Sequence, residues 1–263
     1  NRSFSSKTTP DIFELFEIFK FYDFHDSISI CIEMSSHSLD QNRLKYLPCL
    51  NSASILNIGA DHLDYHKNIK NYTDAKFKIF DTESVVRLID DKLQKLSLDY
   101  SFVESSQYKM ISVSNKNVHS DIFYKIIESS PDQSIFEVVI NNPPACYPED
   151  HRKKYTFTCS LFPEFNIHNL VFALSSLGFS SFQSEDINDL FFLNLPKGRT
   201  ELISNISDNV IIDFAHNADG FKFLLSSIKN YFENLVIIFG CGGNRDKTKR
   251  PEMLKIALEN GLN

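Results

Sequence analysis

The fold is decided by the stretch ASILNIGADHLDYHKNIKNYTDAKFKIF, which occupies residues 53–80. Residues 53–58 form a short apolar run of the kind found in a strand that is buried on both faces. A polar turn with Gly59 and two histidines follows, and residues 72–80 are predicted to be helical. A strand, a polar turn and a helix in this order form one unit of an α/β sheet.

Similar units are predicted on both sides of this stretch. A helix is predicted at residues 11–21, because apolar residues recur there at helical spacing, and a buried strand at residues 27–34. Gly178 is of the type that commonly ends a helix. The other predicted elements are strands at residues 112–118, 134–140 and 155–158, and a helix at residues 166–177. Together they predict an α/β fold with a doubly wound, mostly parallel central sheet.

A domain junction is predicted at Leu195-Pro196-Lys197-Gly198. The elements predicted beyond it are strands at residues 210–214 and 235–239, a helix at residues 221–232 and a helix that begins at Pro251. They correspond to the first part of a Rossmann-like domain, without the further strands that would complete its sheet. The predicted domains are therefore residues 1–195 and residues 196–263.

The composition excludes several classes of protein. The net charge of -7 argues against a general binder of nucleic acids or membrane surfaces, because such proteins carry basic patches. No apolar run approaches the roughly 18 residues of a membrane span, and no signal-like leader opens the chain. The five cysteines are an odd number without a CxxC pair, which favours reduced thiols. We therefore expect a soluble, cytoplasmic protein.

Candidate metal ligands follow two of the predicted strands. Glu33 stands at the end of strand 27–34, where open α/β sheets bind ligands, and a carboxylate suits Mg²⁺. His62 and His66 have the four-residue spacing of a zinc helix, but Leu63 occupies the place of the required glutamate. On these residues alone, a solvent-facing glutamate and ordinary surface histidines remain the alternatives.

Further polar candidates lie on helices and in later turns. Lys76 lies on the helix of the opening stretch, where a lone lysine is normally a solvated charge. Asn166 and Asn169 are three residues apart and share one helix face, which suits hydrogen bonds to a ligand as well as capping. The polar corners beyond the junction, which suit phosphate or carboxylate, contain Arg199, Asp213 and the glycine-rich residues 239–251.

Seven sequence blocks resemble the signature blocks of the Mur ligase superfamily, and most closely those of the UDP-N-acetylmuramoyl-tripeptide synthetases. The blocks are TTPD (8–11), EMSSHSLDQNR (33–43), DHLDYHKNIKNYTDAK (61–76), FNIHN (165–169), GRTE (198–201), DFAHNADG (213–220) and FGCGGNRDKTKRP (239–251). They span nearly the whole chain except residues 84–160. Seven blocks in the right order are far more specific than any single motif.

The resemblance implies roles for individual residues. Glu33 and His62 would bind Mg²⁺, and Lys76 would carry a carbamate that binds a second Mg²⁺. The residues implied in binding the UDP-MurNAc-dipeptide are Thr8, Thr9, Ser35, Gln41 and Arg43. Those implied around the adenine and ribose of ATP are Asn166, Asn169, Arg199 and Asp213. His216 and Arg245 lie in matching blocks without an assigned role.

The resemblance also implies a reaction. ATP would phosphorylate the D-Glu carboxylate of UDP-N-acetylmuramoyl-L-alanyl-D-glutamate, and the amine of a free amino acid would attack the acyl phosphate to form an amide. Mg²⁺ would offset the charge that builds between the two anionic reactants. The expected amino acid is meso-diaminopimelate, with L-lysine as the alternative. We expect a monomer without nucleic-acid or membrane partners.

The chain also departs from the family pattern. No GxxGKT loop occurs in its 263 residues. We therefore expect an inactive fragment that lacks the N-terminal domain, the ATP phosphate-binding loop and the end of the C-terminal domain. Two other functions stay open: folylpolyglutamate and cyanophycin synthetases share a corner like AHN at residues 215–217, and a non-catalytic homologue would bind a nucleotide sugar without turnover.

Overall fold

Two α/β regions follow each other along the chain. The structure is a computed structural model that describes residues 8–21, 29–45, 47, 49–59, 61–100, 109–147, 153–179, 193–203, 209–232, 234–241 and 249–260. A six-stranded sheet belongs to the first region and a two-stranded sheet to the second.

The larger sheet has its strands in chain order. They are β1 (Leu50–Ile55), β2 (Ser84–Asp90), β3 (Met110–Ser114), β4 (Ile122–Ser129), β5 (Ser134–Ile140) and β6 (Lys154–Cys159). β1 to β4 are parallel to one another, whereas β5 and β6 each pair antiparallel with the strand before them. The predicted α/β fold with a mostly parallel sheet is therefore confirmed.

The helices of the first region precede, separate and follow these strands along the chain. They are α1 (Ile12–Phe21), α2 (Ser36–Asp40), α3 (Leu63–His66), α4 (Ile69–Phe77), α5 (Gln94–Ser97) and α6 (Glu164–Leu177). α6 ends at Gly178, which adopts φ 80° as expected of a glycine that closes a helix. No helix in the described part of the chain is long and apolar enough to cross a lipid bilayer.

Side chains of β2 alternate between the two faces of the sheet. Val86 and Leu88 face a core that includes α6, while Ile89 faces a second core closed by Phe77 and Phe80. Each of these five side chains is at most 1% exposed, and each such burial stabilises the fold by about 1.5–3 kcal/mol. Because Phe77 is the last residue of α4, the second core also fixes the position of that helix.

The second region is a small α/β unit. β7 (Glu201–Ile203) pairs antiparallel with β8 (Val210–Ile212), and α7 (Ala218–Ile228) packs on α8 (Lys249–Glu259). Its buried core consists of Phe221, Leu225, Ile228, Met253, Ile256, Ala257 and, from the first region, Phe162. The two regions therefore share a core at Phe162.

Two predicted strands are wrong where the structure describes them. Residues 29–34 and 235–239 form no strand, and residues 27 and 28 lie outside the described part of the chain. Val236 and Ile238 are 80% and 97% exposed, so the second of these apolar runs is not buried either. A strand needs a neighbour with which to exchange backbone hydrogen bonds, and apolar composition does not supply one.

The stretch least clear from the sequence, residues 84–160, contains most of the large sheet. β5 has the predicted bounds, and β3 and β6 overlap their predictions. β2 and β4 are additional strands. β2 is buried along nearly its whole length, so it lacks the polar–apolar alternation that marks a half-buried strand.

Candidate active site

The turn that follows β1 presents His62. The backbone N–H of His62 donates to Asp61 Oδ1 at 2.8 Å, and His62 adopts a left-handed backbone with φ 53° and ψ 31°. Left-handed backbone is uncommon for residues other than glycine, so it needs support from its surroundings. The Asp61 carboxylate supplies that support, and His62 then begins α3 with its side chain 43% exposed.

Lys76 is the last residue but one of α4, and the charges of two carboxylates act on its ammonium group. Burial lowers the pKa of the Lys76 ammonium, while the charges of Glu33 and Asp61 oppose this shift. The Lys76 Nζ lies 5.9 Å from the centre of the Tyr72 ring. The structure therefore brings Lys76 and Glu33 within electrostatic reach of each other, as the metal-site prediction requires.

The donor set decides whether Mg²⁺ fits here. In the described part of the chain, no three His, Cys, Asp or Glu side chains are arranged to hold a metal ion. Glu33 and His62 alone are too few, whereas a carbamate on Lys76 would add an oxygen ligand. Because carbamate forms on a neutral amine, the lowered pKa of Lys76 fits this chemistry. The residues present therefore fit Mg²⁺ only together with a modified Lys76.

Thr9 ties the first described residues to the end of the segment at Glu33. The Thr9 hydroxyl donates to the Glu33 carbonyl at 2.8 Å and accepts the N–H of Ser35 at 2.9 Å. Ser35 in turn caps α2, because its hydroxyl accepts the N–H of Ser38. Thr9 is 2% exposed, so this network is an internal part of the fold next to Glu33.

Arg43 completes the network of predicted substrate-binding residues. Its Nη1 donates to the carbonyl of Thr9 at 3.0 Å, and its Nε and Nη2 donate to Gln41 Oε1 at 3.1 and 2.8 Å. Thr8 is exposed beside Thr9. The structure thus brings all five predicted residues into one neighbourhood, with Arg43 and Gln41 oriented by each other.

The histidines of the DHLDYH block have different surroundings. His62 is exposed, whereas His66 is 5% exposed and its Nε2 lies 2.9 Å from the Ser36 hydroxyl. Burial, together with the nearby His37, lowers the pKa of His66. Their spacing therefore does not indicate a shared zinc ion, because His66 is bonded within the core.

Asn166 and Asn169 share one face at the start of α6. Asn166 is 4% exposed, and its Nδ2 donates to the carbonyl of Phe162 at 2.8 Å. The Asn169 Nδ2 lies 3.5 Å from Asn166 Oδ1. The rings of Phe165 and Phe223 are 5.5 Å apart, so this face of α6 adjoins α7 of the second region.

Asp213 accepts the hydrogen bonds that hold the turn after β8 against Thr200. One carboxylate oxygen accepts the N–H and the hydroxyl of Thr200 at 2.8 and 3.1 Å, and the other accepts the N–H of Ala215 at 2.8 Å. Arg199 is exposed, and its guanidinium lies 5.7 Å from the centre of the Phe214 ring. Asp213 and Arg199 therefore lie together on one corner, and Arg245 lies outside the described residues.

The turn after β1 and the turn after β8 are in contact across the boundary between the two regions. The Asn217 Nδ2 donates to Asp61 Oδ2 at 3.1 Å, and the His216 Nε2 lies 3.9 Å from the same oxygen. Asp61 was not among the predicted site residues, although it stands directly before His62.

Comparison with known proteins decides the family. Residues 3–177 match the family model of the Mur ligase middle domain, and residues 198–260 match that of the Mur ligase glutamate ligase domain. The chain belongs to the Mur ligase family. Its predicted signature blocks fall within these two matched segments.

Relatives of this chain include two proteins named UDP-N-acetylmuramoyl-L-alanyl-D-glutamate–2,6-diaminopimelate ligase. The protein from Clostridium perfringens is 31% identical over 259 residues, which is 96% of this chain and 51% of the relative. The protein from Rickettsia bellii is 32% identical over 265 residues, which is 98% of this chain and 52% of the relative. The chain spans about half the length of these curated relatives.

Solved structures have the same fold as this Mur ligase. A UDP-N-acetylmuramoyl-L-alanyl-D-glutamate–2,6-diaminopimelate ligase superposes with a TM-score of 0.70 at 25% identity, over 95% of this chain and 50% of that chain. The MurF ligase of Thermotoga maritima in complex with ADP has a TM-score of 0.59 at 16% identity, over 85% of this chain and 49% of that chain. The second likeness shows the fold alone.

A buried polar cluster of this Mur ligase is absent from the sequence-based predictions. The His168 Nδ1 lies 2.9 Å from the Tyr124 hydroxyl, and its Nε2 lies 3.2 Å from Asp90 Oδ2. Asp90 ends β2, and His168 stands between Asn166 and Asn169 on α6. A signal was available, because the aspartate pair of RLIDD follows an apolar strand, but the strand itself was not predicted.

Proposed function

We propose that the protein is an ATP-dependent ligase that adds meso-diaminopimelate to UDP-N-acetylmuramoyl-L-alanyl-D-glutamate. The C. perfringens and R. bellii relatives carry the name of this activity. The observation that carries the proposal is the position of Lys76, which is half-buried on α4 next to the fully buried Phe77, where the charges of Glu33 and Asp61 act on it. In a Mur ligase, such a lysine has the surroundings needed to bear a carbamate next to a cation.

Glu33, His62 and a carbamate on Lys76 are the proposed ligands of Mg²⁺. When bound, Mg²⁺ supplies positive charge that offsets the repulsion between the ATP phosphates and the substrate carboxylate. The Asp61 carboxylate supports the His62 backbone, and the exposed imidazole of His62 is accessible to a cation from solvent.

The chain's other residues bind and orient the two substrates. The proposed contacts to the adenine and ribose of ATP are Asn166, Asn169, Arg199 and Asp213. The proposed contacts to the UDP-MurNAc-dipeptide are Thr8, Thr9, Ser35, Gln41 and Arg43. Because Arg43 and Thr9 are linked by a hydrogen bond, the substrate-binding residues are held in one orientation before substrate arrives.

In the proposed reaction, the D-Glu carboxylate takes the γ-phosphoryl group of ATP, and ADP leaves. The free amine of diaminopimelate then attacks the acyl carbon, phosphate leaves, and loss of a proton gives the amide. The family matches on either side of the Leu195–Gly198 junction support a division into domains 1–195 and 196–263. We further propose a monomer that acts in the cytoplasm, where ATP is available.

The proposal predicts a large effect of Lys76→Ala on the chemical step. In the full-length enzyme, we expect a decrease in kcat of at least about 10²-fold with little change in the KM for ATP, because the charge that stabilises the transition state is lost. Short carboxylic acids should restore part of the activity, since they can replace the carbamate. Phosphate release in the presence of UDP-MurNAc-dipeptide and diaminopimelate measures the effect, and L-lysine in place of diaminopimelate tests the amino acid.

Lys70→Ala is the matched control. Lys70 lies on the same helix, but its side chain is 80% exposed and pairs with Asp74 at 2.8 Å. We expect near-normal kcat in this variant. In addition, ¹³C-bicarbonate should give a carbamate signal in the wild-type protein and in Lys70→Ala but not in Lys76→Ala. Near-normal turnover of Lys76→Ala, without a carbamate signal in the wild type, would contradict the proposal.

A further inference from the structure

The two oxygens of the Asp61 carboxylate accept hydrogen bonds from different donors, and the His62 Nε2 also lies 3.7 Å from Oδ2. Oδ1 accepts the backbone N–H of His62 at 2.8 Å and so supports the left-handed backbone of that residue. Oδ2 accepts the Nδ2 of Asn217 at 3.1 Å, from the second region of the chain. One carboxylate therefore contacts both the turn that carries His62 and the surface that docks against it.

The side chain of Asn217 also has two partners. Its Oδ1 accepts the N–H of Gly220 at 2.8 Å and caps α7, and this fixes which end of the amide is the acceptor. The Nδ2 must then point away from the helix, and it points at Asp61. The Asn217 donor is therefore oriented by α7 itself.

Two residues near Asn217 also lie close to the turn between β1 and α3. The Asp219 carboxylate approaches Gly59 so closely that a Cβ atom at Gly59 would lie 3.5 Å from Asp219 Oδ2. The His216 Nε2 lies 3.9 Å from Asp61 Oδ2. The start of α7 therefore packs directly on the turn between β1 and α3, and Asn217 provides its hydrogen bond.

We propose that Asp61 is a positioning residue that couples docking of the second region, through Asn217, to the backbone conformation of His62. When α7 is docked, both carboxylate oxygens are held and the left-handed turn is stabilised. When α7 is displaced, Oδ2 loses its fixed donor, the carboxylate can rotate, and the support of the His62 turn weakens. The role of His62 as a metal ligand rests on the proposed function, whereas the coupling itself rests on the hydrogen bonds.

Substitutions at Asn217 separate this link from helix capping. Asn217→Ser keeps a side-chain oxygen that caps a helix about as well as asparagine but removes the donor to Asp61. Asn217→Ala removes both functions. Asn217→Asp keeps a cap but places a carboxylate against Asp61. The double variant Asp61→Asn with Asn217→Asp restores a donor–acceptor pair with its direction reversed.

Hydrogen exchange of the 263-residue chain, followed by mass spectrometry, measures the coupling. In Asn217→Ser we expect exchange of residues 61–67 to rise about tenfold, the effect of losing one hydrogen bond to a charged group, with exchange of α7 unchanged. Asn217→Ala should raise exchange in both segments. The double variant should return residues 61–67 towards the wild-type rate, and residues 170–177 of α6 serve as an internal reference.

Two results would overturn the coupling: wild-type exchange of residues 61–67 in Asn217→Ser, or no recovery in the double variant. Where the enzyme turns over, Asn217→Ser should also raise the Mg²⁺ concentration for half-maximal rate while leaving the KM for ATP unchanged. Absence of turnover in the full-length wild-type enzyme would count against the proposed function. The exchange result is independent of turnover, so the two failures are distinguishable.

Discussion

Asp90 is the residue at the centre of the buried polar cluster between β2 and α6. It is 7% exposed and lies beside the His168 imidazole and the Lys92 ammonium. Burial alone would raise the pKa of Asp90, but contact with His168, the charge of Lys92 and the Lys92 backbone N–H together lower it. Burial and the negative charge of Asp90 raise the pKa of the Tyr124 hydroxyl, which therefore stays protonated. An ionised Asp90 thus connects the end of β2 to α6.

A first prediction concerns the stability that Asp90 contributes. Because its folded pKa lies below the unfolded value near 3.9, its contribution is fully present above about pH 4 and is lost as the pH falls through the lowered pKa. Asp90→Asn should lower the free energy of unfolding by about 1–3 kcal/mol at pH 7. The difference in the free energy of unfolding between Asp90→Asn and the wild type should be smaller at about pH 3. Urea unfolding at both pH values measures it.

Asp132→Asn is the control for this measurement, since Asp132 is exposed in the turn between β4 and β5. We expect a change within about 0.5 kcal/mol at either pH. An equal loss of stability in Asp90→Asn at both pH values would show that ionisation of Asp90 is not what stabilises the cluster.

At the scale of elements, α4 is the helix on which the site depends most. It has nine residues, so it is too short to be stable by itself and relies on its cap and its packing. Asn68 caps it, because its side chain accepts the N–H of Asn71 at 2.8 Å. Its last residue, Phe77, is fully buried and stacks on Tyr100 with ring centres 4.4 Å apart. Lys76 is therefore held in place from both ends of its helix.

A second prediction follows for the cap of α4. Asn68→Ala should lower the free energy of unfolding by about 1 kcal/mol, because one N–H of the first helical turn loses its partner. Asn68→Ser should cost only a few tenths of that, because serine is also a good cap. Chemical unfolding measures both variants. Equal losses in the two would mean that Asn68 stabilises the protein by something other than capping.

At the scale of the whole molecule, Phe162 joins the two regions. It precedes α6 in the first region, but its side chain is 3% exposed within the core of the second. Its ring lies 5.1 Å from Tyr231 and 6.1 Å from Phe232, both near the end of α7. Because Asn166 donates to the Phe162 carbonyl, the same residue links the second core to the predicted nucleotide-binding face.

A third prediction therefore concerns Phe162→Ala. Truncating a buried phenylalanine typically lowers the free energy of unfolding by about 3–5 kcal/mol. Here the second region should be destabilised more than the first. Hydrogen exchange of α7 and α8 should rise far more than that of β2 and β3. Phe157→Ala, in the core of the large sheet, should show the opposite distribution. Uniform exchange changes in both variants would mean that the regions unfold as a single unit.

The family and the fold class could be predicted from the sequence alone, and the same signature blocks supply the candidate residues of the site. An apolar run followed by a polar turn predicts a strand and its loop, because the pattern depends only on residues that are close together in the sequence. The order of seven signature blocks predicts the Mur ligase family for a similar reason, and the resemblance makes Glu33, His62 and Lys76 the predicted metal ligands. These features depend on residue type and spacing, which the sequence states directly.

Only the tertiary structure decided which apolar runs pair and which polar groups meet. Residues 235–239 look like a strand, yet Ile238 is 97% exposed, because pairing depends on a neighbour that lies elsewhere in the chain. Asp61 and Asn217 are 156 positions apart, and their hydrogen bond follows from the docking of α7 on the turn after β1. The lowered pKa of Lys76 likewise comes from burial, which arises only when α4 packs on the sheet.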